Sequence, residues 1–130
     1  MEGRLKLLLD THVVIWALEK PKRLSARARQ AIEAEANDIF VSVVSPWELV
    51  IKGPREGLRV PEDLEEQLVR QNISLLPVLW RHTDSLKTMA YHHRDPFDRM
   101  LVAQALIEGL TIVTADRKMR QYPVSLIPAI

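Results

Sequence analysis

Five short apolar runs alternate with stretches of helical periodicity along the whole chain. The runs cover residues 5–9, 39–44, 73–76, 110–113 and 124–127. A short apolar run without polar alternation is typical of a strand that is covered on both faces. Strands that alternate with helices form a mainly parallel sheet through right-handed crossovers. The sequence therefore predicts a single α/β domain over residues 1–130, with three α/β/α layers and a mainly parallel sheet of four or five strands.

Two helix starts carry nearly the same four-residue signal. Residues 45–48 read Ser-Pro-Trp-Glu and residues 95–98 read Asp-Pro-Phe-Asp. Each has a capping side chain, a proline at the first helical position and an acid at the third. The first signal predicts a helix that runs to about Lys52 and ends at residues 53–54, which are Gly-Pro. The second predicts a helix that ends at Gly109, and its mostly apolar sequence requires burial on two sides.

The composition excludes several classes of protein. Hydrophobic residues make up 47% of the 130 residues and charged residues 27%, which is typical of a folded globular chain rather than a disordered one. The absence of cysteine excludes disulfides, thiolate zinc sites and thiol nucleophiles, and it favours a reducing compartment. The apolar runs are too short to span a bilayer, so we expect a cytoplasmic protein without a membrane partner.

Positive charge is clustered rather than abundant overall, in the segment 20–29 and in a second, smaller cluster of Arg117, Lys118 and Arg120. The formal net charge is only +1, which does not by itself indicate a nucleic-acid binder. A cluster of basic residues in the sequence is usually a solvated surface, and the alternative interpretation is a surface that binds RNA phosphates. The basic residues of this segment are Lys20, Lys22, Arg23, Arg27 and Arg29.

Four acidic residues occupy similar positions relative to the predicted strands. Asp10 directly follows the first strand and Glu48 follows the second, whereas Asp98 opens the long apolar helix and Asp116 follows the 110–113 strand. The carboxyl ends of parallel strands meet at one edge of a sheet, where ligands bind, so these residues can converge. Neighbouring carboxylates repel each other unless a cation neutralises them. Oxygen ligands without thiolates favour Mg²⁺ or Mn²⁺, which supports hydrolysis of a phosphodiester bond.

Each of these positions also has a purely structural alternative. Acids in the first turn of a helix satisfy free backbone N–H groups and offset the helix dipole. Glu48 can complete a capping box, and Asp95 can act as an N-cap. Asp10 fits this explanation less well, because an acid that ends a buried strand needs a partner or an ion. Thr11 and Thr114 can orient a carboxylate or contact a phosphate, or they can be cap and turn residues.

Other polar and aromatic residues are assigned supporting or structural roles. Arg94 and Arg99 flank the 95–98 segment and can contact a substrate phosphate or pair with neighbouring carboxylates. The histidines lack a metal-binding spacing, and we expect them to be solvated or structural. The tryptophans are expected to be core or interface anchors rather than base-stacking platforms. These two sets are His12, His82, His92 and His93, and Trp16, Trp47 and Trp80.

Four segments stand in an order and spacing that is familiar from one protein family. They read Leu-Leu-Leu-Asp-Thr-His at residues 7–12, Ser-Pro-Trp-Glu-Leu at residues 45–49, Asp-Pro-Phe-Asp-Arg-Met-Leu-Val-Ala-Gln-Ala at residues 95–105, and Thr-Ala-Asp at residues 114–116. Together they resemble the PIN-domain ribonucleases, and more closely the VapC-type toxins of bacterial and archaeal type II toxin–antitoxin pairs. The resemblance covers essentially the whole chain, and residues 95–105 are its most specific part.

This resemblance implies a PIN-like fold and a metal-dependent endoribonuclease. By the resemblance, Asp10, Glu48, Asp98 and Asp116 form the catalytic, metal-binding set, and Asp95 is a secondary candidate. The implied cofactor is Mg²⁺ or Mn²⁺. The implied partners are an RNA substrate, a second copy of the chain in a homodimer, and a small antitoxin protein that occupies the groove.

Two other functions compete with this interpretation. The first is a catalytically silent PIN-like domain that binds RNA or a partner protein through residues 20–29. RNA binding that is insensitive to EDTA and is not followed by cleavage would favour it. The second is an aspartyl-phosphate enzyme with Asp10 as its nucleophile. His12 stands where that chemistry needs a second acid, and no lysine follows Lys118, so the second alternative is disfavoured.

Overall fold

The computed structural model describes residues 4–130, and its five strands form one parallel sheet. The strands are β1 (Lys6–Leu9), β2 (Asp38–Ser42), β3 (Ile73–Leu76), β4 (Thr111–Thr114) and β5 (Leu126–Pro128). Their spatial order is β3-β2-β1-β4-β5, and every neighbouring pair is parallel. The predicted parallel α/β sheet is therefore confirmed, with β1 at its centre.

Six α-helices cover the two faces of the sheet in the part of the chain that the structure describes. They are α1 (Thr11–Glu19), α2 (Ala26–Glu33), α3 (Val44–Glu56), α4 (Leu64–Arg70), α5 (Trp80–Ser85) and α6 (Pro96–Glu108). Leu7 and Leu9 of β1 face a core shared with α1, α2 and α4, whereas Leu8 faces a core shared with α3 and α6. This alternation confirms three α/β/α layers. None of the helices in residues 4–130 is long and apolar enough to cross a membrane.

The chain changes direction across the sheet at β1, and this change positions the candidate site. From β1 the chain moves outward through β2 and β3, and it then returns to place β4 and β5 on the other side. Such a switch point leaves a crevice at the carboxyl ends of the strands. Asp10 lies at this crevice, because its backbone N–H donates to the Val113 carbonyl of β4 at 3.0 Å.

Helix α6 is buried on two sides, as its apolar sequence predicts. Leu101, Val102 and Ala105 pack in the core between this helix and the sheet. The helix also contacts α3 and α5. It ends at Gly109, which has a φ of +70° that favours glycine.

Helix α3 begins earlier than its sequence signal predicts. Its first residue is Val44, and the Ser42 hydroxyl accepts a hydrogen bond from the Val44 N–H at 3.1 Å. Ser45, the expected N-cap, therefore lies inside the first turn. Proline is tolerated there because first-turn N–H groups have no partner within the helix, so Pro46 does not fix the register of the helix start.

Helix α3 also ends later than predicted, and β5 is shifted. The helix continues through residues 53–54 to Glu56, and Gly57 ends it with a φ of +70°. Gly53 is needed there for close packing, because an added Cβ would lie 2.6 Å from the Leu58 carbonyl oxygen. The strand predicted over residues 124–127 is instead Leu126–Pro128, since a sheet edge accommodates proline.

Candidate active site and metal centre

A cleft of about 390 Å³ lies at the carboxyl ends of the central strands. The structure brings all four predicted acids to this cleft, together with Asp95. Three basic side chains, His12, Lys52 and His93, also line it. The acids come from the end of β1, the second turn of α3, the N-terminus of α6 and the residue pair after β4. They are Asp10, Glu48, Asp95, Asp98 and Asp116.

Asp10 is buried at the floor of the cleft, with only 7% of its surface exposed. One of its oxygens accepts the Thr11 N–H at 2.7 Å, which also caps α1. The other accepts the Thr114 hydroxyl at 2.6 Å. Burial raises the pKa of Asp10, the two hydrogen bonds oppose this shift, and the charge of Glu48 adds to it. Ionised Asp10 is therefore costly unless a positive charge is near.

Thr114 connects two of the acids. Its hydroxyl donates to Asp10 and accepts the Asp116 N–H at 2.9 Å. Asp116 in turn accepts the Lys118 N–H at 2.9 Å and caps the 3-10 helix Arg117–Gln121. The Asp116 side chain keeps about 30% of its surface exposed, so it lies at the mouth of the cleft.

Glu48 does not form the capping box that its sequence position suggests. Its Oε1 accepts the Thr11 hydroxyl at 2.5 Å instead. Because Thr11 has a single hydroxyl proton, the Ser45 hydroxyl, 3.0 Å from Thr11 Oγ1, must donate to it. The capping interpretation of Ser45 and Glu48 is therefore wrong, since both side chains are directed towards α1.

Lys52 bridges the two helix starts. It lies one turn after Glu48 and donates to Glu48 Oε2 at 3.0 Å and also to Asp95 Oδ2. Burial opposes the charge of Lys52, but the two carboxylates outweigh it and raise its pKa. Burial also disfavours ionised Asp95, yet Lys52 and the backbone N–H groups of α6 hold its pKa below the usual value. Asp95 and Lys52 are thus a charged pair.

Asp98 lies at the centre of the acidic cluster. Its side chain is only 13% exposed. Burial, followed by the charges of the surrounding carboxylates, raises its pKa to about 8. The contributing carboxylates are Asp10, Asp95, Glu48 and Asp116. At neutral pH without a cation, Asp98 therefore retains its proton.

His93 contacts the carboxylates of both Asp98 and Asp116. Its Nε2 lies 3.1 Å from Asp98 Oδ2 and 2.7 Å from Asp116 Oδ2. Its Nδ1 accepts the Asp95 backbone N–H at 3.1 Å, so the ring proton of neutral His93 is on Nε2. Nε2 then donates to the carboxylates and is not free to bind a metal. His93 is buried rather than solvated, and its contacts make it a positioning residue for two acids.

The donor set of the cleft fits a hard divalent cation. The cleft contains two groups of three side chains, and within each group the potential ligand atoms all lie within 4.8 Å of one another. The first group is Glu48, Asp95 and Asp98, and the second is His93, Asp98 and Asp116. Asp98 belongs to both groups. With the Nε2 proton of His93 excluding that nitrogen, the ligands are carboxylate oxygens, which suit Mg²⁺ or Mn²⁺. Asp10 lies in the same cleft but in neither group.

The two predicted arginines do not lie in this cleft. Arg99 is buried, donates to the carbonyls of Ala90 and Leu86 at 3.1 and 3.5 Å, and stacks on Tyr91. It therefore holds the segment before α6 in place, and the prediction that it contacts RNA or carboxylates is wrong. Arg94 is exposed just outside the cleft lining.

Sequence reasoning did not assign to the site several residues that line the cleft, among them Lys52, His93 and Trp16. Lys52 had a usable signal, because a lysine four residues after a glutamate lies on the same helix face. His93 had none, since its partners come from the loop after β4 and from α6. Trp16, expected as a core or interface anchor, is half-buried and lines the cleft. The other two tryptophans, Trp47 and Trp80, are 60% and 81% exposed and are not core residues.

Comparisons with known proteins agree with this geometry. Residues 7–124 match the family model of the PIN domain. The chain is also 30% identical over 123 residues to Ribonuclease VapC22 of Mycobacterium tuberculosis (strain ATCC 25618 / H37Rv). That alignment covers 89% of this chain and 91% of the relative.

Three solved structures share the fold. VapBC2 from Rickettsia felis, bound to a DNA fragment from its promoter, superposes with a TM-score of 0.68 at 16% identity, over 97% of this chain and 100% of that one. DNA-bound VapBC from Salmonella typhimurium and VapBC-1 from nontypeable Haemophilus influenzae each superpose with a TM-score of 0.62. Their sequence identities are 20% and 16%, respectively, and each match covers 95% of this chain and 98% of the other chain. With the family match over residues 7–124 and the 30% identical relative, this chain belongs to the PIN-domain family and, within it, to the relatives of VapC.

Proposed function

We propose that this protein is a metal-dependent endoribonuclease and the toxin of a type II toxin–antitoxin pair. The convergence of carboxylates on Asp98, at the switch point of the parallel sheet, carries this proposal. Carboxylates so close together are stable as anions only when a cation is near. The 30% identity to a protein named as a ribonuclease supports RNA as the substrate.

The residues of the cleft have distinct roles in this proposal. Asp10, Glu48, Asp98 and Asp116 would hold the cation, and Asp95 would support them through Lys52. Thr11 and Thr114 fix the carboxylates of Glu48 and Asp10 by donating hydrogen bonds. Asp98 would have to lose its proton to serve as a ligand, and the Nε2 proton of His93 keeps Asp98 and Asp116 oriented.

A cation held by these residues would supply the electrophilic part of the chemistry, because a divalent ion lowers the pKa of water and stabilises negative charge on phosphate oxygens. The protein keeps its ligands in place before the substrate arrives, because each carboxylate already has a hydrogen-bond donor or a cationic partner. Such preorganisation is the main contribution that a protein makes to this type of catalysis.

We also propose partners and a location. Three structural neighbours are described as VapBC complexes, which supports an antitoxin that covers the cleft of this chain and blocks the RNA. We propose a homodimer, consistent with the exposed apolar side chains of α3, such as Trp47, Val50 and Ile51. A cytoplasmic location agrees with the absence of cysteine.

One observation favours a second function, a catalytically silent domain that binds RNA or protein. Lys52 already pairs with both Glu48 and Asp95, and His93 already donates to Asp98 and Asp116. A cluster satisfied in this way can persist without a metal. The two functions differ in whether the cleft binds a divalent cation and whether RNA is cut.

RNA cleavage by the purified protein tests the proposal. We expect cleavage of single-stranded RNA in Mg²⁺ or Mn²⁺, no cleavage in EDTA, and at least a 100-fold slower rate for Asp10→Asn, because the variant loses charge but little volume. Asp84→Asn, the same change at an exposed acid of α5, is the matched control and should cleave at the wild-type rate. Unchanged cleavage by Asp10→Asn would contradict the proposal. RNA binding without cleavage that is unaffected by EDTA would favour the silent domain.

A further inference from the structure

An aromatic side chain and a guanidinium group are stacked at the rim of the acidic cleft. Trp16 lies on α1, and the Arg23 guanidinium carbon is 4.8 Å from the centroid of its ring. His12, one helical turn before Trp16, has its ring centroid 6.1 Å away. His12 and Trp16 both line the cleft. The stack is therefore next to the residues that would bind the cation.

The local sequence explains why the stack forms there. Helix α1 begins at the cleft because Asp10 is its N-cap, and Trp16 follows about 9 Å further along the helix axis. Pro21 then starts the short 3-10 helix Pro21–Arg23, which turns the chain back so that Arg23 lies over the indole. A helix, a proline turn and a basic residue thus place a cation on an aromatic face beside the acids.

Both members of the stack are accessible to a ligand. Trp16 is half-buried, with part of its ring against the core and part facing the cleft. Arg23 is exposed and lies over the indole rather than against any carboxylate of residues 4–130. A cation–π contact at an exposed site is weak, so a flat ligand can displace the guanidinium at low cost.

The charge distribution indicates what such a ligand would be. The floor of the cleft is acidic and repels the phosphates of a nucleic acid, so affinity must come from the rim. Lys20, Lys22 and Arg23 are all exposed, and Arg23 contacts Trp16 of the rim. Arg29, later in the same basic run, lines another cavity together with Pro21 and Gln71. The contact of Arg23 with Trp16 combines positive charge with an aromatic face, which is how proteins bind unpaired nucleotides.

We propose that Trp16 and Arg23 bind one unpaired nucleobase of single-stranded RNA beside the cleft. This inference rests on the proposed ribonuclease function. The base stacks on the indole, and the displaced Arg23 guanidinium pairs with a backbone phosphate. The interaction tolerates different bases because every base has a π face, and it positions the adjacent phosphate over the acids. The expected anchoring role of Trp16 remains, because part of its side chain packs against the core, and the proposal adds substrate binding to it.

The test measures RNA binding separately from cleavage. A fluorescein-labelled single-stranded RNA of mixed sequence is titrated with the full chain carrying Asp10→Asn, and binding is followed by fluorescence anisotropy. Trp16→Ala should weaken binding about tenfold, whereas Trp16→Phe should stay within about threefold of the parent because it keeps an aromatic face. Arg23→Ala should weaken binding. It should also reduce the slope of the logarithm of the binding constant against the logarithm of the salt concentration by about one, because one phosphate contact is lost. Trp80→Ala removes an exposed tryptophan outside the cleft and should leave binding unchanged.

An abasic scan distinguishes stacking from a purely structural role. A set of RNAs, each lacking one base, should contain a position at which the parent protein binds about tenfold more weakly and Trp16→Ala causes no further loss. Equal effects of Trp16→Ala on every abasic RNA would overturn the proposal, as would unchanged binding by Trp16→Ala to intact RNA. If Trp16→Ala does not fold, Trp16→Leu, which keeps an apolar side chain without a π face, replaces it in the same scan with the same expected and contradicting results.

Parallel cleavage assays separate the failure of this inference from the failure of the proposed function. Wild-type protein that cleaves RNA while Trp16→Ala binds it normally would reject the platform and leave the nuclease intact. If the wild-type protein does not cleave RNA but its RNA binding still depends on Trp16 and on one base, the nuclease proposal is rejected and the stacking site at Trp16 is supported.

Discussion

Helices α3 and α6 begin with nearly the same sequence pattern but use it differently. In α6, Asp95 is the N-cap, and its Oδ1 accepts the N–H groups of Phe97 and Asp98 at 2.8 and 3.3 Å. In α3, Ser45 and Glu48 cap nothing, and both are hydrogen-bonded to Thr11. The capping of α6 leaves Asp98 free to face the cleft. In α3 the Ser42 hydroxyl accepts the first helical N–H instead, which leaves Glu48 free to face the same cleft.

The difference arises from where each helix begins. Helix α6 begins at Pro96, directly after its capping residue, whereas α3 begins at Val44, ahead of its Ser-Pro pair. Each residue of an α-helix turns the side-chain direction by about 100°. A small shift of the start therefore redirects an acid from the helix terminus to a neighbouring element. A capping pattern predicts that a helix begins nearby, but not what its acid contacts.

Glu48→Gln tests the functional side of this comparison and should have the largest effect. We expect RNA cleavage to slow at least 100-fold, because the variant removes negative charge from the cation site. The free energy of unfolding should change by less than about 1 kcal/mol, since the amide oxygen still accepts the Thr11 hydroxyl. Cleavage rates in Mn²⁺ and urea unfolding curves measure the two quantities. A capping role for Glu48 would give the opposite result, with lower stability and normal cleavage.

The pH dependence of stability tests whether Asp98 is held among acids. Its pKa of about 8 lies above the ordinary value of 3.8, so between these values the folded state binds a proton that the unfolded state has released. The contribution of Asp98 protonation to the free energy of unfolding is fully present below about pH 4 and is lost as the pH rises to about 8. In EDTA, we expect the wild-type protein to lose about 1 to 3 kcal/mol more than Asp98→Asn between pH 5 and pH 8. Urea unfolding at the two pH values measures this, and equal losses would contradict it.

Asp95 provides the structural side of the comparison and should show the smallest effect. Asp95→Ala removes the cap of α6 and should lower the free energy of unfolding by about 1 kcal/mol. Asp95→Asn is the matched control, because asparagine caps as well as aspartate but cannot form the ion pair with Lys52. Thermal or urea unfolding of both variants would show whether capping or the Lys52 contact dominates. A larger loss for Asp95→Asn than for Asp95→Ala would refute the capping role.

The sequence predicts the fold and the acids well because both depend on pattern. Apolar runs separated by helical periodicity define a parallel sheet, and any acid that directly follows a strand reaches its carboxyl edge. This reasoning identified Asp10 and Asp116 as neighbours although they are separated by most of the chain. The strand order, which places β1 between β2 and β4, was not predicted, because it depends on long-range packing.

The contacts within the site depend on side-chain directions that pattern does not encode. Arg99 follows the predicted metal ligand Asp98, yet it lies outside the cleft and is buried against backbone carbonyls. His93 reaches the acids because its Nδ1 accepts the Asp95 N–H, a contact that no residue spacing specifies. Lys52 is the exception, since its spacing from Glu48 was visible in the sequence.

Calorimetric titration with Mn²⁺ at pH 7 tests most directly whether the converging carboxylates form a divalent-cation site. The wild-type protein should bind Mn²⁺ saturably and release a proton, because Asp98 must ionise to become a ligand. Asp98→Asn, which alters the acid shared by both groups of ligand atoms, should bind at least tenfold more weakly and without proton release. Equal Mn²⁺ binding by the two proteins, or none by the wild type, would contradict the account.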